Sequence, residues 1–326
     1  MPLPFILAGV ALAAAGYGVK KGIDALDADC EADEFIKKAE SLKEEATKKA
    51  KSAESNCRRA FARFGEKKLH VLSHSVSNFL DHFHRLNRSR IIIEGINMQD
   101  IQHQVSDVRK ITNQLNANGI DGDSVLGVFA GFGSLGISSF TTGAILGGGL
   151  TMGGLAGMAV LGGLVAGPAL AILGAIGTDE MEKKRDDAKA YLSQVEAAVK
   201  KADAMIDNLQ AVRKMADLFT RQITKCDALF FSLSQDAIAT MKKHHYDTSR
   251  YNQKEKDQLC VTVSTLSSLS AFLKAPIMDE HQKLNKKAQN ALNLMRNQIN
   301  DLESGQKSGH YDVAMIQSNQ KGLENL

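Results

Sequence analysis

The chain contains no tryptophan, five tyrosines and only four prolines. So few aromatic rings leave little material for the stacking platforms that bind single-stranded nucleic acids. The formal charge of +3 is nearly balanced, which argues against a nucleic-acid partner that would need a concentrated basic face. Scarce proline, together with many Lys, Glu, Ala, Leu and Gln residues, allows long uninterrupted helices. Because strand patterns are almost absent, we expect an all-α protein.

The sequence also lacks the usual marks of a catalytic or metal site. Its four cysteines occur singly, without a CxxC pair, and are expected to be reduced and partly buried: Cys30, Cys57, Cys226 and Cys260. No GxxxxGK[ST] motif is present, and the GxGxxG match at 131–136 lacks both a preceding strand and a following acidic residue. No nucleophile with its base and no pair of catalytic carboxylates can be recognised. We therefore expect neither an enzyme nor a cofactor.

Ionisable residues are missing from one long segment. Between Ser124 and Thr178 there is no Asp, Glu, Lys, Arg or His. The segment is long enough for two membrane spans of about 20 residues and a turn, and Gly147–Gly149 provides the turn. Glycines at four-residue spacing allow helices to pack closely within lipid. We predict an apolar helical hairpin that enters or lies against a bilayer; the alternative is a hairpin buried inside a soluble bundle.

The N-terminal residues 1–22 are also apolar and end at Lys20 and Lys21. Positive charge follows the apolar run instead of preceding it, so the pattern is not that of a cleavable signal peptide. The run is just long enough to span a membrane; the alternative is a docked helix that covers the core. Across both apolar segments, the side chains predicted to contact the membrane are Phe5, Leu7, Leu12, Val125, Phe129, Phe132, Leu135, Ile145, Leu150, Leu155, Leu161, Leu164, Leu170 and Leu173. The glycines predicted to form the turn and the packing faces are Gly127, Gly131, Gly143, Gly147, Gly148, Gly149, Gly153, Gly157, Gly163 and Gly167.

Two long apolar stripes flank the hairpin. Apolar residues recur at spacings of three and four from Ile36 to Phe64, and the stripe continues from Leu69 to Leu86. A second stripe with the same spacings runs from Ala188 to Ala237. These stripes predict two matched helices that form an antiparallel pair, with the hairpin at one tip. Further helices are expected at about 254–273 and 277–302, separated by Pro276, to complete a four- or five-helix bundle. We expect the polar tail from 304 to be partly disordered.

The predicted fold is therefore an elongated bundle of long, antiparallel, coiled-coil-like helices with a Gly-rich apolar hairpin at one tip. Its predicted segments are 1–22 (apolar), 23–120 (first half of the stalk), 121–178 (hairpin), 179–303 (second half of the stalk) and 304–326 (tail). Basic clusters flank the apolar segments, at Lys20–Lys21, Arg109–Lys110 and Lys183–Arg185. By the positive-inside tendency they keep the bulk of the chain cytoplasmic. The insertion energy is marginal, so a soluble form before insertion is also expected.

Several histidines cluster on the first long helix. His70 and His74 are one helical turn apart, and His82 and His84 flank residue 83. Such pairs can share a metal or sense acid, although exposed histidines on a polar helix face are the common case. The basic run Lys242–Tyr246 is interpreted as a solvated helix end that complements the helix dipole.

Two long helices around a glycine-rich apolar hairpin resemble the α-helical pore-forming toxins of the cytolysin A and haemolysin BL type. The arrangement is also similar to the apolipoprotein L family. The resemblance rests on architecture and hydropathy over about residues 24–250, and it implies a soluble-to-inserted transition and oligomerisation on a membrane. Because no export signal is recognisable, an intracellular membrane effector is favoured. We predict a membrane-inserting protein that acts as a pore-forming or membrane-disrupting effector, with the lipid bilayer and further copies of itself as partners. The alternatives are a membrane-anchored coiled-coil scaffold that binds a partner protein without permeabilising, and a soluble helical interaction protein.

Overall fold

The computed structural model describes residues 30–86, 181–279 and 284–326, together with Ser106. These residues form helices joined by short turns, and the prediction of an all-α helical bundle is confirmed. Within the same residues, extended pairing is limited to one isolated bridge, between Met278 and Leu284.

The helix bounds agree closely with the two long apolar stripes. In chain order the elements are α1 (Cys30–Val71), a π-helical turn (Leu72–Val76), α2 (Ser77–Phe83), a 3-10 turn (His84–Leu86), α3 (Met181–Lys243), a second 3-10 turn (Thr248–Arg250), α4 (Gln253–Lys274), α5 (Lys286–Ser308) and α6 (Val313–Glu324).

The described helices belong to two compact units. The first contains residues 30–57 and 181–211, and the second contains residues 58–86, 212–279 and 284–326. The divisions fall inside α1 and α3.

In the first unit, α1 and α3 bury their apolar stripes against each other. The buried residues of this core are Ile36, Ala39, Ala188, Tyr191, Leu192 and Val195. At its surface, Lys38 Nζ lies 3.5 Å from Glu196 Oε1. Further along both helices, the charge of Asp203 acts on Lys49. Later positions of α1 thus meet later positions of α3, so the two helices run in the same direction here.

The second unit has the same helix direction. Arg63 Nη2 lies 2.8 Å from Asp217 Oδ1, and Lys67 Nζ lies 2.9 Å from Asp227 Oδ2. At the far end of the helices, His82 contacts Tyr246. Later residues of the first helical stretch therefore again contact later residues of α3 and the turn after it, which means that the two run in the same direction.

The prediction of an antiparallel long pair is wrong, because α1 and α3 are parallel within each unit. An apolar stripe specifies which face is buried but not the direction of the partner helix. A parallel pair needs a long crossover connection, and the chain has residues 87–180 between the two helices. The predicted hairpin falls on those residues and lies outside the described part of the chain.

Phenylalanine rings form the centre of the second unit. The Phe64 ring meets the Phe219 ring edge to face at 5.8 Å between centroids, and Phe219 stacks on Phe272 of α4 at 4.4 Å. A second edge-to-face pair joins Phe79 and Phe230 at 5.7 Å. Such aromatic pairs add about 0.5–1.5 kcal/mol beyond the area that they bury.

One position on the first apolar stripe is occupied by a lysine. The predicted stripe passed from Phe64 to Leu69, but Lys68 is the buried residue, at 1% exposure, and Leu69 is half-buried. The Lys68 ammonium lies 4.3 Å from the Phe64 ring centroid, which is a cation–π contact. The π-helical turn begins four residues later, and its wider turn absorbs one extra residue in the repeat. The stripe then continues through Val76 and Phe79.

Helix α4 lies inside the second unit and has a hydroxyl-rich sequence. Thr262, Thr265 and Ser268 are buried. Their hydroxyls donate to the backbone oxygens of Gln258, Val261 and Ser264 at 2.7–2.9 Å. Because each of these three hydroxyls donates to a backbone oxygen one turn earlier, these three side chains are buried without an unpaired donor. The helix can therefore pack closely on more than one neighbour.

The C-terminal helices correct two predictions. Helix α4 ends at Lys274, just before Pro276 as expected, but α5 begins at Lys286 instead of residue 277. Asn285 is the N-cap residue of α5, and its side-chain oxygen accepts from the Lys287 backbone N–H at 2.9 Å.

The tail was expected to be partly disordered, yet it contains α6. Asp312 caps this helix by accepting from the Met315 backbone N–H at 3.0 Å. Helix α6 packs on α5 and α4 through buried Ile316 and Leu323, and Asn319 Nδ2 donates to Asp301 Oδ2 at 2.7 Å. Sparse apolar residues are thus enough where a neighbouring helix covers one face.

Replacing the two adjacent lysines should have opposite effects on stability. Burial lowers the pKa of Lys68 to about 7. The unfolded chain therefore binds more protons than the folded one between about pH 7 and about pH 10, so the unfolding free energy of the wild type rises with pH in that window. We expect Lys68→Met to raise the unfolding free energy at pH 7 by about 1–4 kcal/mol and to remove this rise.

Lys67→Met is the matched control, because it leaves the buried Asp227 without its ion pair. It should lower the unfolding free energy by about 1–3 kcal/mol. Urea unfolding followed by circular dichroism at about pH 7 and about pH 9 measures both effects. Destabilisation by Lys68→Met at pH 7 would contradict the interpretation of Lys68 as a costly buried cation.

Candidate functional site

The residues predicted to contact a membrane are not among those that the structure describes. All the positions named in the segments 1–22 and 124–178, including the packing glycines, lie outside the described residues. Over the described helices, none is both long and apolar enough to cross a bilayer. The site that the structure does build is polar, and it lies where α2 and α3 end.

The chain turns sharply after α3 in an arrangement that links two consecutive backbone N–H groups to the helix end. The Tyr246 N–H donates to the Met241 carbonyl at 2.7 Å, and the His245 N–H donates to the Lys242 carbonyl at 3.1 Å. This is the Schellman pattern, which normally has glycine in the left-handed position. Here His245 and Tyr246 have φ of 54° and 63°. Each costs on the order of 1–3 kcal/mol, and such strain is common at functional sites.

The turn holds the Tyr246 hydroxyl between His82, which belongs to α2, and Arg85, which belongs to the 3-10 turn after α2. His82 Nδ1 lies 2.8 Å from the hydroxyl, and the two rings are nearly parallel. Arg85 Nη1 donates to the same hydroxyl at 3.4 Å, with its guanidinium 5.6 Å from the Tyr246 ring centroid. We call His82, Arg85, Lys242 and Tyr246 the basic cluster.

Positive charge dominates the surroundings of His82. Partial burial lowers the pKa of His82, and the charges of Lys242 and Arg85 lower it further against an opposing contribution from Asp81. The charges of both cations therefore act on the same imidazole, although Arg85 follows α2 and Lys242 belongs to α3.

A separate carboxylate organises the other side of the turn. Glu255 Oε1 lies 3.0 Å from His244 Nε2 and 2.9 Å from Lys243 Nζ, while Oε2 accepts from the Asn252 backbone N–H at 3.0 Å. The Asn252 side-chain oxygen accepts in turn from the Glu255 backbone N–H at 2.9 Å, which completes a capping box for α4. The hydrogen bonds from His244, Lys243 and Asn252 lower the pKa of Glu255 to about 2.

Tyr251 packs beside this carboxylate. Its ring centroid lies 5.2 Å from that of His244. Burial raises the pKa of Tyr251 to about 12, and the charges of Glu255 and Asp247 contribute to the rise.

The sequence identified these residues only in part. The sequence pattern drew attention to His82 and to the run Lys242–Tyr246, and the run was predicted to be a solvated helix end. Lys242 and Lys243 are indeed exposed in the last turn of α3, whereas His244 and Tyr246 are tied to Glu255 and His82. The capping pattern of Asn252 with Glu255 was the available local signal that this turn is ordered.

The other histidines and cysteines do not form a comparable centre. The rings of His70 and His74 stack at 4.5 Å between centroids. Among the described residues, no group of three His, Cys, Asp or Glu side chains could hold a metal ion. Cys57, Cys226 and Cys260 form no disulfide, and burial raises the pKa of Cys226 to about 12, which keeps it unreactive.

Comparison with protein-family models, with curated proteins and with solved structures yields no match.

We expect Glu255→Gln to lower the melting temperature at neutral pH, because it removes the negative charge that Lys243 and His244 share. The pKa of Glu255 is depressed from 4.5 to about 2 in the folded protein. Its stabilising contribution is therefore complete above about pH 4.5 and disappears as the pH falls through about 2. Thermal unfolding followed by circular dichroism, at about pH 7 and in steps down to about pH 2, should show the wild type and the variant converging in acid.

Glu66→Gln, which changes an exposed carboxyl on α1, is the control and should leave the melting temperature nearly unchanged. An equal melting temperature for wild type and Glu255→Gln at pH 7 would show that this carboxylate does not organise the turn.

Proposed function

We propose that this chain is a membrane-associating helical protein, in which the apolar segment 124–178 enters or lies against a bilayer while the described bundle stays in water. The N-terminal segment 1–22 contributes a second apolar contact. Basic clusters at 20–21, 109–110 and 183–185 favour a cytoplasmic position for the bulk of the chain.

The observation that carries this proposal is the uninterrupted lack of ionisable residues from Ser124 to Thr178 in a chain that is 24% charged. A water-exposed helix gains nothing from such a composition, and each interior glycine costs it about 1 kcal/mol relative to alanine. In lipid, the same glycines allow close helix packing. The Leu, Ile, Val and Phe residues favour insertion by about 0.3–0.6 kcal/mol each.

The composition of the described bundle supports the proposal that the bundle stays in water while the apolar segment contacts lipid. Its core consists of its own side chains, among them the fully buried Phe64, Phe219 and Phe272. Within the described residues, the large hydrophobic side chains classed as exposed are Phe231 and Met315. Charged residues cover much of the remaining surface, as in a protein domain that remains hydrated.

A charge placed in the apolar segment should weaken membrane association. An Asp at the centre of a membrane helix costs about 2.5–3.5 kcal/mol, which corresponds to a roughly 100-fold weaker partition into the bilayer. Gly154 lies five residues after the predicted turn, so this cost is an upper bound, and we expect Gly154→Asp to weaken flotation of the purified full-length chain with liposomes.

Ala239→Asp is the matched control, because it places the same charge on an exposed position of α3. It should float with liposomes like the wild type. If Gly154→Asp floats as well as Ala239→Asp, or if the wild type does not float, the proposal fails.

A dye-release assay with the same liposomes distinguishes a pore-forming protein from one that is only anchored to the membrane. Dye release by the wild type, accompanied by cross-linked oligomers and lost in Gly154→Asp, would identify a membrane-permeabilising assembly. Flotation without dye release would instead identify a membrane-anchored scaffold, a role consistent with the long paired helices of the bundle.

A further inference from the structure

We propose that the basic cluster is a binding site for a nearly dianionic phosphate group, either the phosphomonoester of a lipid headgroup or free inorganic phosphate. The inference goes beyond membrane association and does not depend on the apolar segment, because every residue that carries it belongs to the second compact unit.

The first argument is the convergence of donors and charges. His82 and Arg85 both contact the Tyr246 hydroxyl, and the charge of Lys242 reaches the same imidazole. A guanidinium can bind two oxygens of a phosphate at once, and an ammonium adds a point charge. The tyrosine hydroxyl supplies a further hydrogen-bonding group. A phosphomonoester is close to a dianion at neutral pH, so it matches two permanent cations and a nearby imidazole.

The second argument is the separation of this cluster from the neighbouring carboxylate. Glu255 is engaged by Lys243, His244 and the Asn252 backbone. Lys242 is the preceding residue on α3, about 100° around the helix from Lys243. The two lysines therefore have different surroundings, since Lys243 lies on Glu255 while the charge of Lys242 reaches His82.

The end of α3 is compatible with a bound anion. Helix carbonyls carry negative partial charge and oppose an anion where they are open. Here the carbonyls of Met241 and Lys242 already accept the N–H groups of Tyr246 and His245. The same two bonds fix the turn, so the Tyr246 hydroxyl is held in place before a ligand binds.

Binding of inorganic phosphate to the full-length chain tests the site directly. Isothermal titration calorimetry at constant ionic strength should show binding by the wild type and about tenfold weaker binding by Arg85→Gln and by Lys242→Gln. Lys243→Gln is the matched control, since it changes the adjacent lysine that pairs with Glu255, and it should bind like the wild type. Circular dichroism checks that each variant is folded. Equal affinity in all four proteins, or no binding by the wild type, would overturn the proposal.

Sulfate isolates the contribution of His82, because it stays a dianion across the relevant pH range. The groups that act on this imidazole are Asp81 and Arg85 from its own end of the helix, and Lys242 and Tyr246 from the end of α3. An anion favours the protonated imidazolium, so binding should strengthen as the pH falls from about 8 to about 5.5. His82→Gln should lose this pH dependence. The same dependence in both proteins would contradict a role for His82 in the site.

Vesicle binding distinguishes a lipid headgroup from free inorganic phosphate as the ligand. Flotation is compared between phosphatidic acid, whose headgroup is a phosphomonoester, and phosphatidylglycerol, which is an anionic phosphodiester. A preference for phosphatidic acid that Arg85→Gln removes identifies the lipid headgroup as the ligand. If Arg85→Gln weakens phosphate binding but leaves flotation unchanged, free phosphate is the ligand. Gly154→Asp should keep its phosphate affinity, so failure of the membrane proposal and failure of this site give different results.

Discussion

The structure depends on the burial of one apolar stripe of each long helix against the other. In the second unit this seam is filled by the rings of Phe64, Phe219, Phe79 and Phe230, and Phe272 brings α4 onto it. A lysine at position 68 interrupts the stripe, and the π-helical turn after it restores the phase of the repeat. Small side chains with internally bonded hydroxyls then let α4 lie inside the unit. The remaining helices complete the burial.

The parallel direction of the seam explains where the polar cluster lies. Since α2 and α3 run the same way in this unit, the end of one meets the end of the other, and His82 and Arg85 reach the turn at 244–246. An antiparallel partner would have placed the end of α2 beside an earlier part of α3. The strained left-handed turn at His245 and Tyr246 then directs one hydroxyl between the two basic side chains. The cluster is thus a product of helix direction and turn geometry together.

The two proposals concern different parts of the chain: the basic cluster of the second compact unit and the uncharged segment 124–178. Two residues of the basic cluster, His82 and Arg85, come just before Leu86, where the first described stretch of the chain ends. The uncharged segment 124–178 follows later in the chain. A phosphate site that binds a lipid headgroup would add headgroup recognition to the hydrophobic attachment proposed for the apolar segment. Basic residues and buried apolar area both strengthen binding to anionic lipid surfaces.

The sequence by itself determined the helical class, the extent of the two long stripes and the end of α4 before Pro276, because helix periodicity and proline geometry are local properties. It also identified the uncharged segment, whose predicted hairpin lies outside the described residues. Only the tertiary structure decided that α1 and α3 are parallel, that Lys68 occupies a core position, and that α6 packs on α4 and α5. Apolar spacing names a buried face without naming its partner, and contacts such as His82 with Tyr246 join residues far apart in the chain. Those contacts follow from packing, which no local pattern encodes.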